Sequence, residues 1–313
     1  MLPKPRSRVI LVFAIILVVV AVGTLLYSLL LRQPQKVKQY YLVELKSIFS
    51  TPDTLERFFS KVHDTWLDEE TGKLYVTDIG TNCIVVFDTN LVFLYRIGRT
   101  GDAANEFRWP MYVRSRDNMI YVSDVSHSCL KVLKDGGEYA RSIRLTWPQL
   151  MYPFAIDSTG RIVANAPFSD DSLLVVYDTS GRIVARFGQR IKRGSEAQTL
   201  RQNLVSPVVG EDGSIYVVFL SLPYIRKYSR DFQLVMEKDL SSAGETRYGR
   251  SIIRKAEIEE SPRMIHSVVN GVYYRRPYLY VVYPGELPHG ATIFAYDAKT
   301  LQLRQAIMTN LSA

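Results

Sequence analysis

Two stretches, GKLYVTDIGTNCIVVFD (72–88) and NMIYVSDVSHSCLKVLK (118–134), match almost position for position, and RIVANAPFSDDSLLVVYD (161–178) follows the same plan. The match pairs Tyr75 with Tyr121, Val76 with Val122, Asp78 with Asp124 and Cys83 with Cys129. Each stretch is a short β-rich run, a polar turn and a second β-rich run, followed by a further turn and a third strand. A period of about 40 residues with several strands per period is the mark of a β-propeller.

The rhythm extends over residues 40–313 as five recognisable four-stranded units, at 62–98, 109–145, 152–188, 204–240 and 264–308. Their second strands centre on Tyr75, Tyr121, Val163, Tyr216 and Tyr280, at spacings of 46, 42, 53 and 64 residues. The longer spacings mark insertions at 188–203 and 241–263, which should stand above or below the disc. β-Branched and aromatic residues dominate the runs, as half-buried strands require. Polar clusters at 88–90, 135–137, 178–181 and 229–231 mark hairpins. Each small sheet can bury its faces only against its neighbours, and ring closure protects the open edges. The run YYLVELKSIF (40–49) precedes the first unit and is placed to pair with the C-terminal blade and close the ring.

Residues 9–31 form an uncharged run of 23, long enough to cross a bilayer as a helix. It is too long for the apolar core of a cleaved signal peptide and ends without a small-residue cleavage site. Lys4, Arg6 and Arg8 precede it, and Arg32, Lys36 and Lys38 follow it, so loop charge nearly ties. The short tail adds its terminal amine, which favours an N-terminus in the cytoplasm. The expected order is a cytoplasmic tail (1–8), a single-pass anchor in the cell membrane (9–31), a linker (32–39) and an extracytoplasmic propeller (40–313). The formal charge is +8, with basic residues scattered rather than gathered into a stripe. That suits anionic surfaces and gives no reason to expect a nucleic-acid partner.

The stretch IGRTGDAANEFRWPMYVRSRDNMIYVSDVSHSCLKVL (97–133) resembles an NHL repeat. The resemblance rests on Ile97-Gly98, Glu106-Phe107, Pro110, the run 120–124 and Val132. Blade one fits through 74–78 and 86–88, and blade three through Pro153, Asp157, Gly160 and 175–178, with Asn165 in place of the acid. Blades four and five keep the strands but have Val217-Val218-Phe219 and Val281-Val282-Tyr283 there. NHL-like propellers usually have six blades, so the resemblance implies one more than the sequence counts. In NHL-like lyases that cleave amidated-peptide precursors, inner-strand histidines hold zinc at the channel mouth.

His63 and His266 fall on the expected innermost strands of blades one and five. Blades two to four offer Met111, Phe154 and Pro207 near that position, and His127 and His289 lie on turns. A third ligand for a catalytic zinc is therefore missing, and neither a metal site nor a cofactor is expected. Asp78 and Asp124 end strands before turns, where a carboxylate accepts backbone N–H bonds. Trp109, Tyr112, Trp147, Tyr152 and Tyr224 fall close to inner-strand starts and could line one face. No nucleophile elbow, phosphate-binding loop or metalloprotease helix motif occurs, so no catalytic residue is assigned. The candidate ligand-binding residues are His63, Trp109, Tyr112, Tyr152 and His266. The expected function is a binding or scaffold module for a protein, peptide or glycan. The alternative is a lyase or lactonase with a metal at the axis. Cys83 and Cys129 hold the same place in consecutive blades, too far apart for a bridge, and should be free thiols.

Overall fold

The computed structural model describes residues 40–44, 59–145, 149–167, 171–192, 194–240, 269–283 and 292–310. The anchor, tail and linker expected at 1–39 lie outside them, as does the insertion 241–263. Among the described residues no helix is long and apolar enough to cross a membrane.

Five antiparallel sheets follow one another along the chain. Blade one is β2 (Val62–Asp68), β3 (Lys73–Asp78), β4 (Cys83–Asp88) and β5 (Phe93–Ile97), and blade two is β6 (Pro110–Arg116), β7 (Met119–Asp124), β8 (Cys129–Lys134) and β9 (Tyr139–Arg144). Blade three is β10 (Ala155–Ile156), β11 (Ile162–Asn165), β12 (Ser172–Tyr177) and β13 (Ile183–Gln189). Blade four is β14 (Val205–Val209), β15 (Ile215–Phe219), β16 (Tyr224–Tyr228) and β17 (Leu234–Asp239). Blade five is β18 (Gly271–Arg275), β19 (Tyr278–Tyr283), β20 (Thr292–Asp297) and β21 (Leu303–Asn310). The middle strands are largely apolar because both faces are covered by neighbouring blades; Ile84, Val85 and Val86 are fully buried, and the one buried cation of blade two's third strand, Lys131, pairs with Asp124. The fourth strands face water and begin on exposed residues such as Phe93, Leu94, Ile183, Val184, Leu234 and Val235.

The ring closes with five blades. Tyr273 of blade five stacks on Trp66 of blade one with ring centroids 6.2 Å apart, and its hydroxyl donates to the Thr65 carbonyl at 2.8 Å. On the other side of blade five, the Tyr216 hydroxyl of blade four donates to the Ala298 carbonyl at 2.8 Å. Blade five thus touches both neighbours directly, which corrects the sixth blade implied by the resemblance.

The early strand β1 (Tyr40–Glu44) pairs with the C-terminal blade, as expected, but not as a closing fourth strand. It adds a fifth, parallel to β21, with Tyr40 opposite Ala306 and Glu44 opposite Asn310. The reason is that β21 already fills the fourth position, antiparallel to β20, so only the outer edge is left.

Meander topology sorts the loops onto two faces. The starts of the inner strands, the turns between second and third strands, and the connections between blades share one face. The hairpins between first and second and between third and fourth strands share the other. The connection 190–204 carries helix α1 (Glu196–Gln202), whose N-terminus Ser195 and Gln198 close by a reciprocal capping box. In the connection 98–109, Gly98 has φ +75°, and a side chain there would run into the Phe107 ring. Cys83 and Cys129 are free and buried, and burial pushes both thiols up.

Candidate ligand-binding site

The inner strands of blades one and two both open on a bulge. In β2, His63 and Asp64 together face the single residue Thr77 of β3, because the ladder jumps from Val62–Asp78 to Thr65–Val76. In β6, Met111 and Tyr112 together face Ser123 of β7, because the ladder jumps from Pro110–Asp124 to Val113–Val122. A bulge leaves backbone groups unpaired and re-aims side chains. Here the opposing hydroxyl repairs the loss: Asp64 N–H donates to Thr77 Oγ1 at 2.8 Å, and Tyr112 N–H donates to Ser123 Oγ at 2.9 Å. Thr77 also reaches the Met111 carbonyl at 3.0 Å and so ties the two bulges together.

The next residue of the motif secures the start of each blade. Asp78 accepts from the Ser60 and Lys61 amides at 2.8 and 2.7 Å, and from Thr81 Oγ1 at 2.7 Å. Asp124 accepts from the Arg108 amide at 3.1 Å, contacts His127 Nδ1 at 2.6 Å and pairs with the buried Lys131 ammonium at 3.1 Å. Asn165 does a related job in blade three, reaching across to blade four through the Val205 amide at 2.9 Å. These side chains are structural, as their place at strand ends suggested.

Of the bulged residues, His63, Asp64 and Tyr112 line a cavity of about 420 Å³ on the propeller axis, to which the inner-strand regions of all five blades contribute. His63, Tyr112 and Tyr152 stand toward the face where the inner strands begin. The His63 and Tyr112 rings meet edge to face at 5.1 Å. Burial pushes the His63 imidazolium down, with Asp64 opposing and Lys61 adding, so the ring is neutral at ordinary pH. Burial likewise pushes the Tyr112 and Tyr152 phenols up.

Farther along the strands, Arg114 joins three blades. Its Nη1 donates to Asp64 Oδ2 of blade one at 2.7 Å, and its Nε donates to the Phe154 carbonyl of blade three at 3.0 Å. Its guanidinium lies between the Trp66 ring at 4.8 Å and the Phe154 ring at 5.6 Å. Trp66 is itself fixed by its indole N–H to Ser115 Oγ at 2.9 Å. Among the described residues of the cavity lining Asp64 and Arg114 are the only charged ones, and they neutralise each other.

Of the candidates read from the sequence, His63, Tyr112 and Tyr152 come together in this cavity. Trp109 does not; it is 44% exposed, with φ +69°, and its amide donates to Asn82 Oδ1 on the rim between blades. The positive φ turns the chain at that point and carries the indole off the axis. Tyr224 begins the third strand of blade four rather than an inner strand. His266, His289 and Trp147 lie outside the described residues. Among the described residues no group of three His, Cys, Asp or Glu side chains converges. They do not by themselves fit the zinc site that the resemblance implies. Sequence reading missed Asp64, Trp66, Arg114 and Tyr273. Arg114 had a signal, since it lies two residues from Tyr112 on the same strand, where alternate residues share a face.

No protein-family model matches the chain, and no curated protein matches it. Solved structures do match in shape. A Bacteroides fragilis protein described as exported aligns with TM-score 0.53 and 14% identity, over 85% of this chain and 78% of that one. A streptogramin B lyase aligns with TM-score 0.51 and 13% identity, over 85% and 72%. A member of the DUF4221 family from Bacteroides vulgatus aligns with TM-score 0.50 and 14% identity, over 81% and 82%. At such identities the likeness is one of fold: the chain is a β-propeller.

Proposed function

We propose that this chain is a single-pass, membrane-anchored binding module whose NHL-like propeller stands outside the cytoplasm and receives a ligand at its axis. The observation that carries the reading is the axial cavity, walled by a neutral histidine, tyrosines and a self-neutralised ion pair. Such a wall orients a ligand through hydrogen bonds and ring contacts. Among its described residues there is no activated nucleophile and no pair of carboxylates. The likeness to a protein described as exported agrees with an extracytoplasmic address.

Topology adds an orientation. Because β1 runs parallel to β21, Tyr40 enters at the hairpin face, opposite the face on which the inner strands begin. An anchor at 9–31 would then hold the hairpin face toward the bilayer and turn the His63–Tyr112 side outward. The exposed apolar pairs that open the fourth strands lie toward the bilayer in that arrangement. The test is a pull-down with the full-length protein in detergent, beside Tyr112→Ala/Tyr152→Ala. A ligand retained by the first and lost by the second supports the axial site, and equal retention rejects it.

A lyase is the second reading, favoured by the streptogramin B lyase among the structures of like fold and by the His63 ring at the cavity wall, whose nitrogens bond to no described side chain. Metal analysis of the purified full chain separates the two. One zinc or calcium per chain supports the enzyme, and a metal-free stable protein supports the binding module.

A further inference from the structure

Resting on the binding reading above, we infer that the axial cavity takes a neutral carbohydrate, held by Arg114 and Asp64 acting as one donor–acceptor pair. Arg114 is 7% exposed, and its Nε and Nη1 are fully engaged by Phe154, Val113 and Asp64. Its Nη2 makes no hydrogen bond to any described residue, and the side chain borders the cavity. Asp64 Oδ2 takes Arg114 and the Val113 amide, which leaves Oδ1 without a partner among the described residues. A charged donor and a charged acceptor therefore stand side by side, on groups locked by two aromatic rings and a carbonyl.

Charge excludes most alternatives. An anionic ligand would meet Asp64, and a cationic one Arg114, with no surplus charge on the described wall to offset either. A neutral ligand that both donates and accepts at neighbouring atoms fits the pair, and two adjacent hydroxyls of a sugar ring do that. The apolar C–H face of such a ring packs on the Tyr112 and Tyr152 rings, while Ser206 and Asn270 on the opposite blades supply further polar contacts. Because the guanidinium is already sandwiched, binding orders few side chains.

The experiment presents the full-length protein in detergent with two arrays, one of neutral and acidic glycans and one of peptides. Asp64→Asn and Tyr152→Ala are tested beside the unaltered chain. Asp64→Asn keeps the shape and leaves Arg114 uncompensated. The inference predicts binding to neutral glycans, weakened about tenfold or more in Asp64→Asn, the worth of one charge-assisted hydrogen bond. It also predicts that Asp64→Asn gains acidic glycans and that Tyr152→Ala weakens neutral ones. Binding to peptides alone overturns the carbohydrate class and leaves the binding reading standing. A preference for acidic glycans in the unaltered chain, or an Asp64→Asn variant that binds neutral and acidic glycans just as the unaltered chain does, overturns it too. Silence on both arrays overturns the carbohydrate class, and the Tyr112→Ala/Tyr152→Ala pull-down then decides the binding reading separately.

Discussion

Blades one and four are built on the same four-strand plan but present different inner edges. Blade one has Thr77 and Asp78 at the end of its second strand, whereas blade four has Val218 and Phe219. Blade one's inner strand is bulged and offers His63 and Asp64 to the axis; blade four's pairs residue for residue with its neighbour, from Val205–Phe219 to Val209–Ile215. The difference lies in hydrogen-bond supply. A buried bulge needs an acceptor for its spare amide, and Thr77 provides one where Val218 has none. Blade two, with Ser123 and Asp124, behaves like blade one, and blade three, with Ala164 and Asn165, has no bulge in its short inner pairing. The polar pair in the repeat therefore does more than end a strand; it accompanies the bulged inner strands that bring His63, Asp64 and Tyr112 to the axial cavity.

Predictions that break this contrast rank by what they leave buried. Arg114→Ala should be the most damaging, because it strands the Asp64 carboxylate; a loss of about 3–5 kcal/mol is expected in denaturant melts. Asp124→Ala comes next. It removes a fully buried acceptor from the Arg108 amide and unpairs Lys131, whose side chain is 5% exposed. Its cost should be about 1–3 kcal/mol or more, above that of the matching Asp78→Ala, which strands no lysine.

Asp78 also predicts a pH effect that blade four cannot share. Burial pushes its carboxyl up, but donors from Ser60, Lys61, Thr81 and Gly80 outweigh that and hold it below the ordinary carboxylate range. A group depressed on folding contributes stability above its unfolded value of about 3.9, and that contribution is lost as pH falls through the folded value. Acid melts of Asp78→Ala should therefore converge on those of the unaltered chain below about pH 4. A constant gap between the two would show that the carboxylate's charge is not what counts.

Thr77→Val sharpens the comparison by giving blade one the residue type of blade four. It should cost about 1–3 kcal/mol, the price of a buried amide left without an acceptor, and weaken ligand capture while the fold persists. The smallest effects belong to the seam between blades five and one. Tyr273→Phe keeps the stack on Trp66 and loses one hydrogen bond, so about 0.5–1.5 kcal/mol is expected. Removing residues 40–44 strips the outer fifth strand of blade five. It should lower the melting temperature less than Arg114→Ala does and promote self-association through the bared β21 edge.

Much of the fold was legible because matched Tyr, Val and Asp positions repeat with the strands themselves. The blade boundaries hold to within a few residues except in blade five, where the described strands begin at Gly271. The place of β1 was not legible, since a strand's neighbour depends on whether β21 fills the fourth position. In the site, aromatic character pointed to Tyr112 and Tyr152, which line the cavity, and also to Trp109, whose left-handed backbone turns it away. Asp64 was hidden because strict alternation would place it opposite His63; only the bulge brings both to the cavity.

The central claim is that the bulges of blades one and two present an axial ligand site. The most direct measurement places a photo-crosslinking phenylalanine analogue at Tyr112 in one full-length sample and at the exposed outer-strand residue Val184 in another. Both samples meet the same extract under light. The account predicts a defined adduct from position 112 and none from position 184. An adduct from 184 with none from 112 would move the site to the outer strands and contradict the account.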